Sequence, residues 1–420
     1  MPDAGVTRVG RRTLIAVALV LSSGRLLAQS DVAGMAGMSM PTTPGTTHTR
    51  LGSGTSWLPD SASPMRAATA MWGPWMVSLH GAAFLQYNEQ RTKRGDRQFG
   101  ITDWEMVMAM RSIGGGDLTV QAMTSLEPLA LGGSGYPELL QTGGTFRHSP
   151  LHDRQHPHEA LMELAASYGH EVAGGLAASL HVGAAGEPAL GPVAFMHRPS
   201  AANDPMAPLG HHWQDATHES FGVVTLGLES RTLKLEASLF NPREADENHL
   251  VADYRGAKLD SYAGRLSWAA TPRVVASTWL GFLNSHDRLD PTTRMHRYGA
   301  SVLTEARGPG GGRWSSSFVW GVNVHHHGAA SHALIHGGPG ASPHHVSGSV
   351  LAETNLALGR ASALFARAER VKKNGEELGF SGGDLTVLYE VRSLVLGGTH
   401  RITSVAGLDL SLGARGSVNR

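Results

Sequence analysis

The feature that most constrains the fold is a one-by-one alternation of apolar residues with small or polar residues in long runs. In residues 118–127, leucine, valine and alanine fill most even positions, while threonine, glutamine, methionine, serine and glutamate fill the odd ones. The alternation recurs in residues 232–239, 317–324 and 408–413. Successive side chains of a β-strand point to opposite faces. Runs of about ten residues are typical of strands that cross an outer membrane, whereas soluble strands more often have about five or six residues.

Fifteen such segments are predicted after Trp75: residues 75–87, 101–111, 117–127, 160–169, 174–184, 219–229, 231–240, 259–269, 272–283, 295–306, 313–324, 347–358, 361–371, 389–401 and 404–415. The connections between them alternate between short and long. Outer-membrane barrels have short periplasmic turns and long outer loops. The sequence therefore predicts an all-β protein, a transmembrane antiparallel β-barrel of about 14–16 strands with short periplasmic turns and long His-rich outer loops.

The strand count raises a question, because bacterial single-chain barrels normally have an even number of strands. The fifteenth strand would run outward and end near Arg420, and residues 416–420 lack the terminal aromatic residue expected of such barrels. Either one strand is miscounted or a sixteenth is missing from this chain, and we expect the second.

The first 28 residues read as a signal peptide. Three arginines (Arg8, Arg11 and Arg12) precede the apolar residues 14–21, and Ala28 ends a plausible cleavage site. The apolar part is shorter than the roughly 20 residues that span a bilayer. We expect export to the cell outer membrane after cleavage of residues 1–28, by the general secretory route rather than the twin-arginine route.

Residues 29–73 are predicted to be a disordered linker rich in Met, Gly and Pro, and residues 74–420 to be the barrel. Within the linker, Met35, Met38 and Met40 could hold Cu(I) through soft thioether sulfurs. The alternative is a chance group of methionines near a processing site.

Composition restricts the chemistry. The chain has no cysteine, which excludes disulfides, thiolate metal ligands and cysteine nucleophiles. Its net charge is zero, so no basic patch predicts nucleic-acid binding. The expected partners are outer-membrane lipid, the barrel-assembly machinery during insertion, and metal ions. Inward-facing charges are predicted at Lys234, Glu236 and Arg265.

Histidines cluster in the long connections. Residues 148–159, 197–218 and 325–345 contain 15 of the 23 histidines. Imidazole and carboxylate together suit Zn, Cu(II), Ni or Fe(II), and the leading candidates are Cu and Zn. The candidate ligands are His152, Asp153, His156, His158, His197, His211, His212, Asp215 and His218. The alternative is that these are solvated loop residues, and the Gly- and Pro-rich third stretch would bind metal only loosely.

Enzyme motifs are missing from the sequence. No His-Glu pair is followed by the second histidine of a zincin, and neither a Gly-x-Ser-x-Gly elbow nor a phosphate-binding loop is present. We predict no catalytic residues and no enzyme activity. A serine–histidine dyad leaves no local pattern, so a barrel enzyme acting on envelope lipid stays an alternative.

Three motifs carry a resemblance: His152-Asp-Arg-Gln-His-Pro-His158, Phe195-Met-His-Arg-Pro-Ser200 and His211-His-Trp-Gln-Asp215. With them, most of residues 75–415 resembles a poorly characterised family of Gram-negative outer-membrane β-barrel proteins. The resemblance implies one further strand and no particular activity. The Met-rich leader is similar in character to that of copper-resistance protein B, which implies copper.

We therefore predict a role in transition-metal binding or transport through the His/Asp clusters, with copper as one candidate ion. Two alternatives stay open. One is a general porin-like diffusion channel whose histidines are incidental, and the other is the envelope-lipid enzyme.

Overall fold

The computed structural model describes residues 16–22 (backbone only), 50–62, 68–254, 256–308, 311–326, 344–381, 385, 387–405 and 408–420. Its strands are β1 (Ala16–Ser22), β2 (Ala68–Trp72), β3 (Trp75–Glu89), β4 (Arg97–Ile113), β5 (Gly116–Thr124), β6 (Tyr136–Phe146), β7 (Ser149–Gln155), β8 (Leu161–Ala173), β9 (Leu176–Ala185), β10 (Val223–Glu229), β11 (Leu233–Phe240), β12 (Ser261–Thr271), β13 (Val274–Asn284), β14 (Arg294–Arg307), β15 (Arg313–His326), β16 (His344–Leu358), β17 (Ser362–Asn374), β18 (Leu388–Val405) and β19 (Leu408–Asn419). The helices are α1 (Glu127–Leu131) and α2 (His211–Gln214). Among the described residues, no helix has the length and apolar character that crossing a membrane requires.

Fifteen strands, β3 to β5 and β8 to β19, form one antiparallel sheet in which neighbours in sequence are neighbours in space. The hairpin of β6 and β7 stands apart, so β5 pairs directly with β8. These fifteen strands correspond one to one with the fifteen predicted segments. The fold class is confirmed, because the period-two pattern marks each strand independently of its partners.

The two faces of the sheet differ as the alternation predicts. Leu235 and Trp268 point outward and are 59% and 53% exposed, whereas the predicted lumen residues Lys234, Glu236 and Arg265 are buried. Arg265 Nε donates to Glu236 Oε2 at 2.9 Å. An apolar exterior around a polar, ion-paired interior is the arrangement of an outer-membrane β-barrel.

The connections also alternate as predicted. Two-residue turns at 114–115, 174–175 and 272–273 lie at one end, called here the short-turn end. The connections 125–160, 186–222 and 241–260 lie at the opposite, long-loop end. The described histidines of all three stretches belong to connections or strand ends on the long-loop side.

The β1 segment lies between β19 and β3 and is antiparallel to both. Fifteen antiparallel strands place β3 and β19 parallel to each other, so a sixteenth strand between them must oppose both. The structure thus provides the even count that the sequence argument required. However, β1 is the apolar part of the predicted signal peptide, and a chain cleaved after Ala28 would leave the edges of β3 and β19 facing each other without it.

The predicted linker is not disordered throughout, and the prediction was wrong for residues 50–62 and 68–72. Residues 50–62 fold inside the barrel near the short-turn end, where Trp57 is buried against Ala269 and Val275. Lys234 Nζ donates to the carbonyl of Thr55 at 2.8 Å. Residues 68–72 form β2 and pair with β3. The Gly- and Ser-rich composition concealed an aromatic anchor, which supplies the apolar burial that order requires. The linker methionines Met35, Met38 and Met40 lie outside the described residues.

The connection 186–222 starts at the long-loop end but turns back into the lumen, and is called here the plug. Arg198 in the plug is fully buried and donates through Nε to Glu353 Oε1 on β16 at 2.5 Å. Trp213 Nε1 donates to Ser347 Oγ at 2.7 Å, and Ala189 N donates to Ser238 Oγ on β11 at 2.7 Å. The plug is therefore attached to both sides of the barrel wall, which holds its histidines rigidly in the interior.

Candidate metal centre

Three side chains converge at the centre of the plug. His158 comes from the segment between β7 and β8, and His218 and Glu219 come from a 3-10 turn over residues 216–219. One ligand atom of each lies within 4.8 Å of those of the other two. Residues sixty positions apart in sequence meet here because the plug folds against the β7–β8 segment. Two imidazoles and one carboxylate at this separation are the donor set of many zinc and copper sites.

A hydrogen bond orients the imidazole of His218, and an ion-pair contact lies beside the imidazole of His158. His218 Nδ1 lies 2.7 Å from the carbonyl oxygen of Asp215, to which it donates. That tautomer leaves the lone pair on Nε2, which is buried and has no hydrogen-bond partner among the described residues. His158 Nδ1 lies 3.0 Å from Glu127 Oε2. Metal-binding histidines commonly use one ring nitrogen in this way and offer the other to the ion.

Burying His218 Nε2 without a hydrogen bond costs free energy. A buried polar atom that loses its hydrogen bonds costs about 1–3 kcal/mol. Glu219 Oε1 is also buried without a partner among the described residues. A cation that engages both atoms would remove this cost.

The convergent group continues as a chain of imidazoles toward the long-loop end. Successive ring centroids are 5.5 Å apart from His158 to His218, 5.2 Å from His218 to His211, 5.0 Å from His211 to His212, 5.5 Å from His212 to His156 and 6.4 Å from His156 to His249. The six rings therefore form a continuous row through the interior.

Most of these rings are held by a partner at Nδ1. His211 Nδ1 lies 2.7 Å from Asp215 Oδ1, and His249 Nδ1 lies 2.6 Å from Glu159 Oε1. Asp215 also accepts a hydrogen bond from Arg198 Nη1 at 3.1 Å. Asp215, which the sequence offered as a ligand or as an acceptor, is occupied here as an acceptor that orients His211.

A glycine pair permits close approach to two of the rings. A Cβ at Gly143 would lie 2.4 Å from His212 Cγ, and Gly143 has φ +107°. A Cβ at Gly144 would lie 2.8 Å from His156 Cδ2. Only glycine fits both the conformation and the space at position 143, so the β6–β7 hairpin packs directly against His212 and His156.

The protonation states are set by burial and by neighbouring charges. Burial opposes the charge on His158, yet the carboxylates of Glu127 and Glu219 outweigh it and raise the pKa of His158 to about 9. Burial raises the pKa of Glu219 to about 8. Burial, reinforced by neighbouring histidines, lowers the pKa of His218 and of His212 well below the usual value, so both rings stay neutral. Burial likewise lowers the pKa of His156 to about 3.

A cavity of about 320 Å³ connects with the chain at the long-loop end. Its walls include His156, His212 and His249, which belong to the chain. They also include His325 and His345, whose rings stack with centroids 4.3 Å apart. His325 and His345 are cross-strand partners on β15 and β16, as are His326 and His344. The other three members of the third histidine stretch, His327, His332 and His336, lie outside the described residues.

Three predicted ligands lie apart from the chain. His152 Nδ1 lies 3.0 Å from the carbonyl oxygen of Glu377 near the rim. Asp153 forms an ion pair with Arg94 at 2.8 Å and accepts from Leu140 N at 2.8 Å, so it fastens loops together. His197 points into a group of methionines beside Met123.

Sequence reasoning missed Glu127 and His249 as members of the site. Glu127 follows the inward-facing odd positions of its run, so its direction was visible but its partner was not. His249 stands alone after the acidic residues Glu244, Asp246 and Glu247, outside every histidine cluster. Glu219 had drawn notice only as half of a His-Glu pair.

No protein-family model and no curated protein matches the chain. Among solved structures, a refined porin is 10% identical with a TM-score of 0.38, covering 81% of this chain and 100% of its own. A loop L8 deletion mutant of OmpT, an outer membrane protein of Vibrio cholerae, is 8% identical with a TM-score of 0.43, covering 83% and 100%. Wzi, a carbohydrate-binding β-barrel involved in group 1 capsule assembly in Escherichia coli, is 10% identical with a TM-score of 0.34, covering 97% and 84%. These are likenesses of fold alone.

Proposed function

We propose that this outer-membrane β-barrel binds a transition-metal ion inside its lumen, with His158, His218 and Glu219 as ligands. The observation that carries the proposal is the buried convergence of these three side chains, with His218 Nε2 lacking any partner among the described residues. Glu127 and the carbonyl of Asp215 hold the two imidazoles in place.

The donor set favours a divalent ion of borderline softness. Two imidazole nitrogens and a carboxylate suit Zn(II) and Cu(II), whereas Mg and Ca prefer oxygen ligands alone. Three protein ligands leave a position open for water or for a transferred ligand. An open position suits an ion that exchanges, so we favour metal handling over a permanent structural metal.

The imidazole chain supports a route to the site. It runs from the cavity at the long-loop end to the His158 centre, and several of its members hold neutral rings at physiological pH. An ion entering the cavity would meet His249 and His156 first and His218 last. We infer that an ion moves along this chain by exchange between adjacent nitrogens.

The filled lumen favours this function over general diffusion. Residues 50–62 and the plug occupy the interior among the described parts of the chain. In planar bilayers we expect the protein to conduct far less than an open barrel of similar strand number. A large conductance unaffected by Zn(II) would instead support the porin-like alternative, and the histidines would then be incidental.

Metal binding should strengthen as pH rises. His158 is protonated below its raised pKa of about 9 and Glu219 below its raised pKa of about 8, so an ion that takes both ligand atoms must displace up to two protons. Displacing one to two protons makes the affinity increase about tenfold to a hundredfold per pH unit between pH 7 and 8, and flatten above pH 9. Competition against a chromophoric chelator, corrected for the chelator's own titration, measures this slope for Zn(II). If the Zn(II) affinity does not change between pH 6.5 and 8.5, the assignment of His158 as a ligand is contradicted.

A further inference from the structure

A row of methionines lines the inner wall next to His197. Four consecutive inward positions of β4 are buried and are occupied by Trp104, Met106, Met108 and Met110. Met123 on β5 is the direct cross-strand partner of Met106. Directly opposed residues of an antiparallel pair have Cβ atoms about 5 Å apart, which brings the two thioethers within reach of one ion.

Met106, Met108 and Met123 belong to a buried cluster of unusual composition. Its eight residues are Trp104, Met106, Met108, Met123, Met162, Phe195, Met196 and Ala207. Five of the eight are methionines, a third of the 15 in the whole chain. A second buried cluster facing the same lumen has nine members and only one methionine, Met295. Leucine, valine and phenylalanine fill that second cluster, so apolar volume alone does not require methionine. The property that distinguishes the first cluster is its sulfur.

His197 completes the group. Its Nε2 lies 3.3 Å from Met123 Sδ, and its ring centroid lies 4.5 Å from that of Trp104. Burial lowers the pKa of His197 to about 3, so the ring is neutral. An ion bound about 2.0 Å from nitrogen and about 2.3 Å from sulfur in a tetrahedral arrangement holds those two atoms about 3.5 Å apart. The observed separation therefore needs only a small adjustment to admit an ion.

We propose that His197 Nε2 and the sulfurs of Met123 and Met106 bind copper(I). Thioethers are soft, uncharged donors that need no deprotonation, and together with a neutral imidazole they suit a soft monovalent ion. This site extends the proposed metal function to a second ion, but it shares no ligand with the His158 centre. Either site can therefore fail without the other.

The proposed copper(I) site lies between the His158 centre and a row of further methionines. The ring of Phe195 lies 5.9 Å from that of His158, and His197 follows two residues later, so the two sites are adjacent. Beyond Met106, thioethers continue at Met108 and Met110, with a step of about 6.8 Å between alternate residues of a strand. Met76 is the cross-strand partner of Met110. The row thus leads from the copper(I) site toward the short-turn end.

The test is a competition of copper(I) against bicinchoninate, under ascorbate and without oxygen, on the full chain in detergent. Met35, Met38 and Met40 are replaced by leucine throughout, so that the leader does not contribute. We expect one copper(I) per barrel, and at least a hundredfold weaker binding in the variant with Met106→Leu and Met123→Leu. Leucine preserves the apolar volume, so the barrel should fold.

Two controls make the result specific. Met295→Leu changes a buried methionine in the other cluster and should leave copper(I) binding unchanged. The variant with His158→Ala and His218→Ala should lose Zn(II) but keep copper(I). X-ray absorption of the copper(I)-loaded protein should contain copper–sulfur scattering that the methionine variant lacks. Unchanged copper(I) affinity in the methionine variant, or an equal loss in Met295→Leu, would overturn the proposal.

Discussion

Replacing His158 and His218 together by alanine should weaken Zn(II) binding by about a thousandfold or more. The two residues supply both nitrogens of the proposed centre, and Glu219 would be left as the only protein ligand. Even the loss of a residue that merely orients a ligand commonly costs 10- to 100-fold in metal affinity. Isothermal titration of the detergent-purified barrel with Zn(II), and separately with Cu(II), measures the change.

Matched variants distinguish a structured site from general histidine binding. His170→Ala removes an exposed histidine from the short-turn end and should leave the affinity unchanged. Glu127→Gln keeps the shape of the side chain but removes the charge beside His158 Nδ1, and should weaken binding by about 10- to 100-fold. If the variant with His158→Ala and His218→Ala binds Zn(II) as tightly as the wild type, the metal centre is not where we place it.

Replacing Arg198 by methionine should release the plug from the barrel wall. The Arg198 side chain is fully buried and forms ion pairs with Asp215 at 3.1 Å and with Glu353 at 2.5 Å. Removing one partner from a buried ion pair costs about 3–5 kcal/mol, because the remaining charges stay desolvated. Hydrogen exchange should then become at least about a hundredfold faster in the plug, while the strands stay protected.

Two observations accompany this prediction. Zn(II) affinity should fall in the Arg198→Met variant, because Asp215 positions His211 through its side chain and His218 through its carbonyl. The control Arg360→Met changes an exposed arginine at the short-turn end and should alter neither exchange nor affinity. If hydrogen exchange in the plug is as slow in the Arg198→Met variant as in the wild type, the ion pairs of Arg198 do not hold the plug in place.

The wall of the barrel could be predicted because its signal is local. A strand with one face in lipid must alternate apolar and polar residues, so each run, such as residues 232–239, indicates which of its positions face inward. That is why Lys234 and Glu236 were assigned to the lumen correctly. The odd strand count followed from the same pattern. A sixteenth strand that closes the barrel must be antiparallel to both β19 and β3, and β1 is antiparallel to both.

The interior of the barrel could not be predicted in the same way. The plug has no periodicity, and its return into the lumen depends on pairs such as Arg198 with Glu353, which are 155 residues apart. The histidine clusters of the sequence contain most of the residues of the imidazole chain. They could not separate His158 and His218 from His152, because those residue types occur in both places and only the packing divides them.

His197 is a second residue whose neighbours could not be predicted from the sequence. It was grouped with the imidazole ligands because it begins the second histidine stretch. In the structure its ring contacts Met123 and Trp104 on the barrel wall. The inward methionines of β4 were visible in the sequence, but nothing there placed a loop histidine against them.

The most direct test of the central claim is the anomalous diffraction of crystals of the full chain grown with one equivalent of Zn(II), recorded on both sides of the zinc absorption edge. We predict one strong peak, about 2.0–2.1 Å from a nitrogen of both His158 and His218 and about 2.0–2.2 Å from an oxygen of Glu219. A lumen without such a peak, or zinc bound only by rim residues such as His152 or by water, would contradict the account.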